Sequence, residues 1–381
     1  MTKKFFKCFF AILLVFSLFG VMMTAAATPT SNESVVCISG FASYIGSPST
    51  SFSRAVGAKS RNIDYASLKL YPGGIPFGVK FMTEGVTVTE LTEVKTENGN
   101  VSPAKLAGLR QNDIILKING ETVVDAAHLS SVAENGGGAP IKLLYSRDSK
   151  QSSTTLTPAY CKEEGKYKTG MYVRDSGAGI GTVTYIVPQT LSFGGLGHGI
   201  CDSQSGKLVS MQRGSVVGVT ISGVVKGLSG TPGEVRGYFS SGKTGTLLQN
   251  TDCGVFGAFA SLPSGLSSEP ICVGTRNEIQ SGKAYILSTL DGTAPQKYEV
   301  EISNILLDSM TNKCFTVKVT DQTLIEKTGG IIQGMSGSPI IQNGKLVGAV
   351  THVLINDPTT GYGIFIENML SAAQMPMQRA A

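Results

Sequence analysis

The chain has 381 residues, more than one ordinary core accommodates, so two or three domains are expected. Its formal charge is +5, but Lys3, Lys4 and Lys7 supply three of those charges; without them 29 basic residues face 27 acidic ones. With no basic stripe or Arg-rich run, nothing favours a nucleic-acid partner. Glycine is abundant at 47 residues, Trp is absent, and Val, Ile and Thr recur in short runs, a composition suited to strands joined by tight turns.

The N-terminus reads MTKKFFKCFFAILLVFSLFGVMMTAAATPT. A basic start, an apolar run from Phe9 to Met23 and the small residues Ala25 to Ala27 are the layout of an export signal. Residues 1–27 are therefore expected to be a signal peptide cleaved before Thr28 or, if retained, a membrane anchor through residues 5–27. Residues 28–64, rich in Ser, Thr, Ala and Gly, read as a linker with a short strand near ESVVCISG. The six cysteines beyond Cys8 are scattered without a short-spaced pair and read as free thiols. The three histidines lie far apart and form no metal-binding motif, so no metal or cofactor is expected.

Residues 65–150 read as a compact module. ASLKLYPGGIPFGVKF predicts strand, turn, strand, and GVTVTELTEV alternates like a further strand. In SPAKLAGLRQNDIILKINGETV a small helix over 102–107 leads through Asn112-Asp113 into a strand at Ile114–Ile118, and Asn119-Gly120 forms the next turn. DAAHLSSVAENGGG predicts a short helix ending at glycines, and PIKLLYSRDSK a closing strand. This segment resembles the PDZ domains of bacterial proteases. The resemblance implies a groove in which a peptide adds as an extra strand, its C-terminus meeting loop amides. By position that loop spans Gly74 to Val79, with Phe77, Gly78 and Val79 as its apolar-Gly-apolar signature.

From 155 to 375 short strands alternate with glycine-rich turns, which predicts one or two β-barrels. Two phosphate-loop look-alikes fall in this region. GYFSSGKT (237–244) fits a P-loop pattern and GAGIG (177–181) a dinucleotide loop, yet neither opens a helix whose amides could hold a phosphate.

GMSGSP (334–339, within IIQGMSGSPIIQNGKLVG) carries the chemistry. In α/β-hydrolases the serine elbow is followed by a helix; here Pro339 and IIQNGKLVGAV predict a hairpin turned at Asn343-Gly344. A serine before a hairpin is the arrangement of chymotrypsin-like proteases. Their Gly-x-Ser-Gly-x-Pro register makes Ser336 the nucleophile and the amides of Gly334 and Ser336 the oxyanion hole. The serine needs a base. His198, in the constrained GGLGHGICD, and the order His before Ser favour His198; His352, in the alternating strand GAVTHVLI, reads as a packing histidine. For the acidic third member Asp321, Asp202, Asp175, Asp291, Asp308 and Asp357 all stay open. Position 330 is glycine, which gives no support for a trypsin-like acidic pocket.

TGGIIQGMSGSPIIQNGKLVGAVTHVLINDPTTGYGIFIENML, GLGHGICD and the upstream module together resemble the stage IV sporulation protein B family of serine peptidases, over about residues 60–375. The resemblance implies a mainly β chain, a PDZ domain (65–150) followed by a chymotrypsin-like double β-barrel serine protease domain (155–375). It assigns the catalytic roles to Ser336, His198 and Asp321; the spacing of Asp321 from Ser336 is far shorter than in ordinary chymotrypsin-like enzymes. It further implies export to the space between forespore and mother cell, self-cleavage, and cleavage of a membrane-associated regulatory protein. That cleavage would free an intramembrane protease and activate a late sigma factor. The rival expectation is an exported PDZ scaffold without catalysis.

Overall fold

The computed structural model describes residues 65–374 except 149, 203–205, 267, 268 and 293. The predicted signal (1–27) and linker (28–64) lie outside the described residues, which all belong to one compact unit. Among the described residues no helix is long and apolar enough to cross a membrane.

The described chain opens with a 3-10 turn, strand β1 (Lys69–Pro72) and the long strand β2 (Pro76–Leu91). A hairpin of β3 (Val94–Thr96) and β4 (Gly99–Val101) precedes helix α1 (Pro103–Leu106). Strands β5 (Ile114–Ile118) and β6 (Glu121–Thr122) lead into helix α2 (Ala126–Asn135), capped by the Asp125 carboxylate. Strands β7 (Ile141–Arg147), β8 (Lys150–Leu156), β9 (Ala159–Cys161) and β10 (Lys166–Lys168) bring the chain to the second long strand, β11 (Met171–Ile186). There follow β12 (Ser192–Gly195), β13 (Met211–Val225), β14 (Glu234–Thr251), β15 (Gly254–Phe259) and the short β16 (Ile271–Cys272). The last third holds β17 (Gly282–Ser288), β18 (Gln296–Ser303), β19 (Phe315–Val319) and helix α3 (Gln322–Thr328). It closes with β20 (Pro339–Gln342), β21 (Lys345–Leu354), β22 (Asp357–Phe365) and helix α4 (Ile366–Gln374).

Two closed barrels result. The first runs β11-β12-β15-β14-β13-β2 and closes by antiparallel pairing of β2 with β11; the second runs β17-β18-β19-β22-β21-β20. Each buries its own apolar interior, around Phe77, Val79, Phe193 and Val255 in the first and around Ile286, Val300, Phe315 and Val350 in the second. Asn343 and Gly344 take φ of 52° and 76° at the β20–β21 turn, the mirror-image geometry that two-residue hairpins need. Both phosphate-loop look-alikes lie inside strands, 237–244 in β14 and 177–181 in β11.

The domain boundary expected near 150–155 is corrected by the topology. Strand β2 starts in the first barrel, where Gly78–Lys80 pairs with both β11 and β13, and ends in the PDZ module, where Val86 and Thr87 pair with β5. The PDZ core, with Val86, Leu109, Ile115, Leu129, Ile141 and Leu156, also packs Met171 and Val173 from β11. The PDZ module is therefore inserted between the two halves of a barrel, and β2 and β11 are continuous through both. The sequence does not reveal this, because a strand shared by two cores keeps one unbroken β pattern. At the module's centre Asp113, almost wholly buried, makes a bidentate pair with Arg147 (both contacts 2.7 Å) and also accepts the Arg110 amide.

The same topology corrects the proposed peptide loop. Phe77 and Val79 are buried in the barrel core; a Cβ at Gly78 would lie 2.6 Å from Phe239 and Val217. Gly78 and Val79 are paired with strands on both edges and Phe77 is buried and paired with β11, so the stretch is not open to a peptide strand. Two edges of the PDZ module have no partner strand among the described residues, the outer edge of β8 and residues 171–176 of β11, whose other side pairs with β2. Helix α2 flanks the latter, and its first amide, of Ala126, donates to Asp175 (2.9 Å).

Candidate active site

The site lies at the seam of the two barrels. The loop between α3 and β20 carries Ser336, and the loop after β12 carries His198. The first barrel holds the serine loop by its carbonyls. Thr182 of β11 donates its amide to the Ser336 carbonyl (3.0 Å) and its hydroxyl to the Gly334 carbonyl (2.8 Å). Thr184, two residues on and on the same face, donates its hydroxyl to the Gly337 carbonyl (2.8 Å). Gly337 has φ +95°, and a Cβ there would sit 2.1 Å from the Thr182 carbonyl oxygen, so only glycine lets the two backbones approach this closely. The hairpin tip between β13 and β14 supplies a second clamp. Gln333 donates to the Gly233 carbonyl (2.9 Å) and accepts from the Val235 amide (2.8 Å).

This clamping fixes where the amides face. The Gln333 carbonyl is taken by Val235 and the Met335 carbonyl by Ser338. In a trans peptide the N–H lies opposite its carbonyl. The amides of Gly334 and Ser336 are thus turned away from those partners, and among the described residues neither donates to a protein acceptor. Two adjacent unengaged amides beside a serine hydroxyl are the arrangement that stabilises a developing oxyanion.

His198 is presented by a turn in which Leu196 and Gly197 both take positive φ (65° and 70°). Asn250 fixes the chain just beyond it, accepting the Ile200 amide (2.8 Å) and donating to the Ile200 and Val209 carbonyls. The His198 ring is 4% exposed, and this burial pushes its pKa below the ordinary imidazole value. Its Nδ1 lies 2.9 Å from the Gly199 carbonyl oxygen. A carbonyl can only accept, so Nδ1 carries the proton and Nε2 keeps its lone pair, the tautomer a general base requires.

His198, Gly334 and Ser336 line one small cleft of about 30 Å³, walled by Ile180, Ile332 and Val353. That is room for about two water molecules, so the cleft is narrow. A larger cavity of about 590 Å³ follows β2, β11 and β13 past Lys80 and Arg213 and contains neither His198 nor Ser336. Within the small cleft the Ser336 hydroxyl donates to the Thr351 carbonyl (2.8 Å) and not to His198. The structure therefore has the nucleophile and base in one cleft but with the serine proton held elsewhere.

Asp321 is not brought to His198. Its carboxylate caps α3 by accepting the Leu324 amide (3.0 Å) and also accepts the Glu299 amide (3.2 Å). Its short spacing from Ser336 has a local cause, since strand β19 ends, the aspartate caps the helix, and two turns later the serine loop begins. The ring beside His198 is instead that of His352, with centroids 5.0 Å apart and planes inclined by 39°. The packing role read for His352 thus brings it against the candidate base. Thr182 and Thr184 escape the sequence reading; their only signal is two threonines at period two in GTVTYIV, where both turn out buried. At Gly330 a Cβ would meet the Pro358 carbonyl oxygen at 2.1 Å, so no acidic side chain fits there.

A family profile described as SpoIVB peptidase S55 matches residues 165–370, more than half of the chain, and one described as PDZ domain matches 101–147. No curated protein matches the chain. Among solved structures, the PDZ domain of the SdrC-like protein from Listeria monocytogenes is 20% identical, over 24% of this chain and 87% of that one, with a TM-score of 0.20. The active form of the Rv3671c protease from M. tuberculosis is 16% identical, over 52% of this chain and 74% of that one, with a TM-score of 0.31. The HtrA-type protease AlgW with a decapeptide is 11% identical, over 54% and 55%, with a TM-score of 0.32.

Proposed function

The chain belongs to the SpoIVB peptidase S55 family, and from that premise we propose that it is an exported serine endopeptidase with Ser336 as nucleophile and His198 as general base. The observation that carries this reading is the cleft in which His198, Ser336 and the two unengaged amides of the serine loop meet. Rotation of the Ser336 side chain off the Thr351 carbonyl frees its hydroxyl for His198 Nε2. The hydroxyl proton passes to Nε2 as Oγ bonds to the peptide carbonyl carbon, and the amides of Gly334 and Ser336 hold the oxygen that gains the charge. The imidazolium then gives the proton to the departing amine as the C–N bond breaks. Water repeats the sequence on the acyl-enzyme and releases the second product. Entry of a peptide has to widen the small, apolar-walled cleft, which suits an uncharged side chain next to the cleaved bond.

In this reading the substrates are the chain itself and a membrane-associated regulatory protein in sporulation signalling. Cleavage of that protein releases an intramembrane protease, which in turn activates a late sigma factor. The N-terminal basic-then-apolar segment supports export, and the family supports the sporulation role. A peptide end is recognised by pairing along residues 171–176 of β11 beside α2. A catalytically silent PDZ scaffold is the second reading, favoured by the hydrogen bond that ties Ser336 to Thr351.

Incubation of the protein and of Ser336→Ala with a fluorophosphonate probe, alongside a time course of self-cleavage, separates the two. Labelling and self-cleavage that vanish in Ser336→Ala support the peptidase, with a loss on the order of 10⁶ in rate. Folded protein that neither labels nor cleaves in either form supports the scaffold.

A further inference from the structure

We propose that Arg174 is a positioning residue for the base. Paired with Asp202, it ties the loop that carries His198 to the open edge of β11, so that the PDZ module and not the barrels alone sets the reactivity of the serine site. The inference rests on the reading of Ser336 and His198 given above.

The chain beyond His198 forms a short hairpin. Cys201 and Leu208 pair as an antiparallel bridge, the Asp202 amide donates to the Lys207 carbonyl (2.8 Å), and the Val209 amide donates to the Ile200 carbonyl (2.9 Å). Its root beside the base is rigid. Ile200 is buried and gripped by Asn250, and a Cβ at Gly199 would lie 2.2 Å from the Leu208 side chain. The rest of the hairpin is held by the PDZ module. Asp202 pairs with Arg174 of β11, Lys207 with Asp148 in the β7–β8 turn (2.7 Å), and the Ser210 hydroxyl donates to the Glu84 carboxylate of β2 (2.9 Å). A rigid hairpin fixed to the base at one end and to another module at the other is a contiguous network of the kind that carries coupling.

These ties are unequal. Lys207 and Asp148 are both largely exposed, and such a pair contributes little. The Asp202 side chain is only 14% exposed, so its carboxylate has lost most of its water and depends on the guanidinium. Arg174 also stands at a joint. Its neighbour Asp175 accepts the first amide of α2, and the pairing of β11 with β2 slips between Arg174 and Ser176. One short segment of strand thus holds α2 through residue 175 and the His198 hairpin through residue 174, and a peptide strand laid along 171–176 would bear on both.

Loosening the hairpin admits water to His198. Burial is what holds the His198 pKa down, so its value should then rise towards the ordinary 6.5. The titratable ring packed on His198 is that of His352 on β21, faced in turn by Lys313, and substitutions at Arg174 or Asp202 leave both in place.

The test uses the full chain with Arg174→Ala, Arg174→Lys, Asp202→Asn, the double variant Arg174→Ala/Asp202→Asn, and Ser336→Ala, reading fluorophosphonate labelling rates from pH 5 to 9. Arg174→Ala should label on the order of 10-fold more slowly, short of the roughly 10²-fold that a misplacement of a full ångström can cause. The midpoint of its acid limb should move up towards 6.5. Asp202→Asn should match it, the double variant should lose no more than either single one, and Arg174→Lys, which keeps the charge, should recover part of the rate. Unchanged labelling in Arg174→Ala overturns the proposal, and so do single losses that multiply in the double variant. A loss with an unmoved acid limb that Arg174→Lys does not lessen marks a purely structural role and overturns it too. Failure of the underlying reading looks different, because the unsubstituted chain would then label no faster than Ser336→Ala.

Discussion

The two barrels have the same number of strands and each fills its interior with aliphatic and aromatic side chains, yet the chain builds them in different ways. The second is assembled from one stretch, β17 to β22, broken only by short connections and helix α3. In the first, β2 and β11 are neighbours in the sheet but are separated in sequence by the PDZ module. The contrast assigns each a part in the site. The uninterrupted barrel supplies the serine and its amides from a local loop. The interrupted barrel supplies the histidine and, through Thr182 and Thr184, the clamp that orients that loop. It also couples the PDZ edge to the clamp within a single strand, since residues 171–176 and 182–184 all belong to β11.

The most damaging test of this division is Phe77→Ala. If Phe77 is a core residue of the interrupted barrel, as its 2% exposure and edge contact with Phe193 require, the substitution costs about 3–5 kcal/mol in chemical unfolding. A stable Phe77→Ala protein with weakened peptide binding would restore it to a peptide loop. Next comes Gly337→Ala at the seam. The positive φ and the 2.1 Å approach to Thr182 predict a stability loss of about 2–3 kcal/mol. Displacement of the serine loop should also cut labelling of Ser336 about 10²-fold. Unaltered labelling would mean that the carbonyl clamp does not set the oxyanion amides.

Acidification should act more gradually. His198 and His352 are both held below the ordinary value of 6.5, chiefly by burial. In the unfolded chain they take up protons first, so their contribution to stability is complete above about pH 6.5 and is lost as pH falls towards the folded values, about 3 for His352. Urea midpoints measured between pH 8 and pH 4 should decline, and the decline should shrink in His352→Gln. The smallest effect belongs to Asp321→Ala, which removes a helix cap for about 1 kcal/mol. Asn caps nearly as well, so Asp321→Asn should leave the thermal midpoint almost unchanged.

Local chemistry was legible in the sequence wherever its cause is local. The Asn343-Gly344 hairpin, the helix capped by Asp125, the turn at Asn119-Gly120 and the serine loop all appear where their residues predict them. The second barrel is largely of this kind. The first is not, and the errors fall there. Phe77-Gly78-Val79 has the pattern of a PDZ loop, but an apolar-Gly-apolar triplet serves equally well where a central strand passes a neighbouring ring, and Gly78 faces Phe239. The domain boundary was hidden for the same reason, because period-two alternation says that a strand exists but not which cores it joins.

The sequence by itself determined that this chain is mainly β, that it contains a PDZ module, that Ser336 stands at a tight turn before a hairpin, and that His198 lies in a glycine-rich loop. The PDZ module is known from the resemblance of its segment to such domains; the others follow from turn residues, alternation and spacing, which act over a few positions. Tertiary structure alone decided that the PDZ module interrupts a barrel, that Thr182 and Thr184 orient the serine loop, that Asp321 caps a helix, and that His352 lies against His198. Each of these joins residues from different strands or places a side chain among several acceptors, and such pairings are set by barrel closure and burial, which no short stretch of sequence encodes.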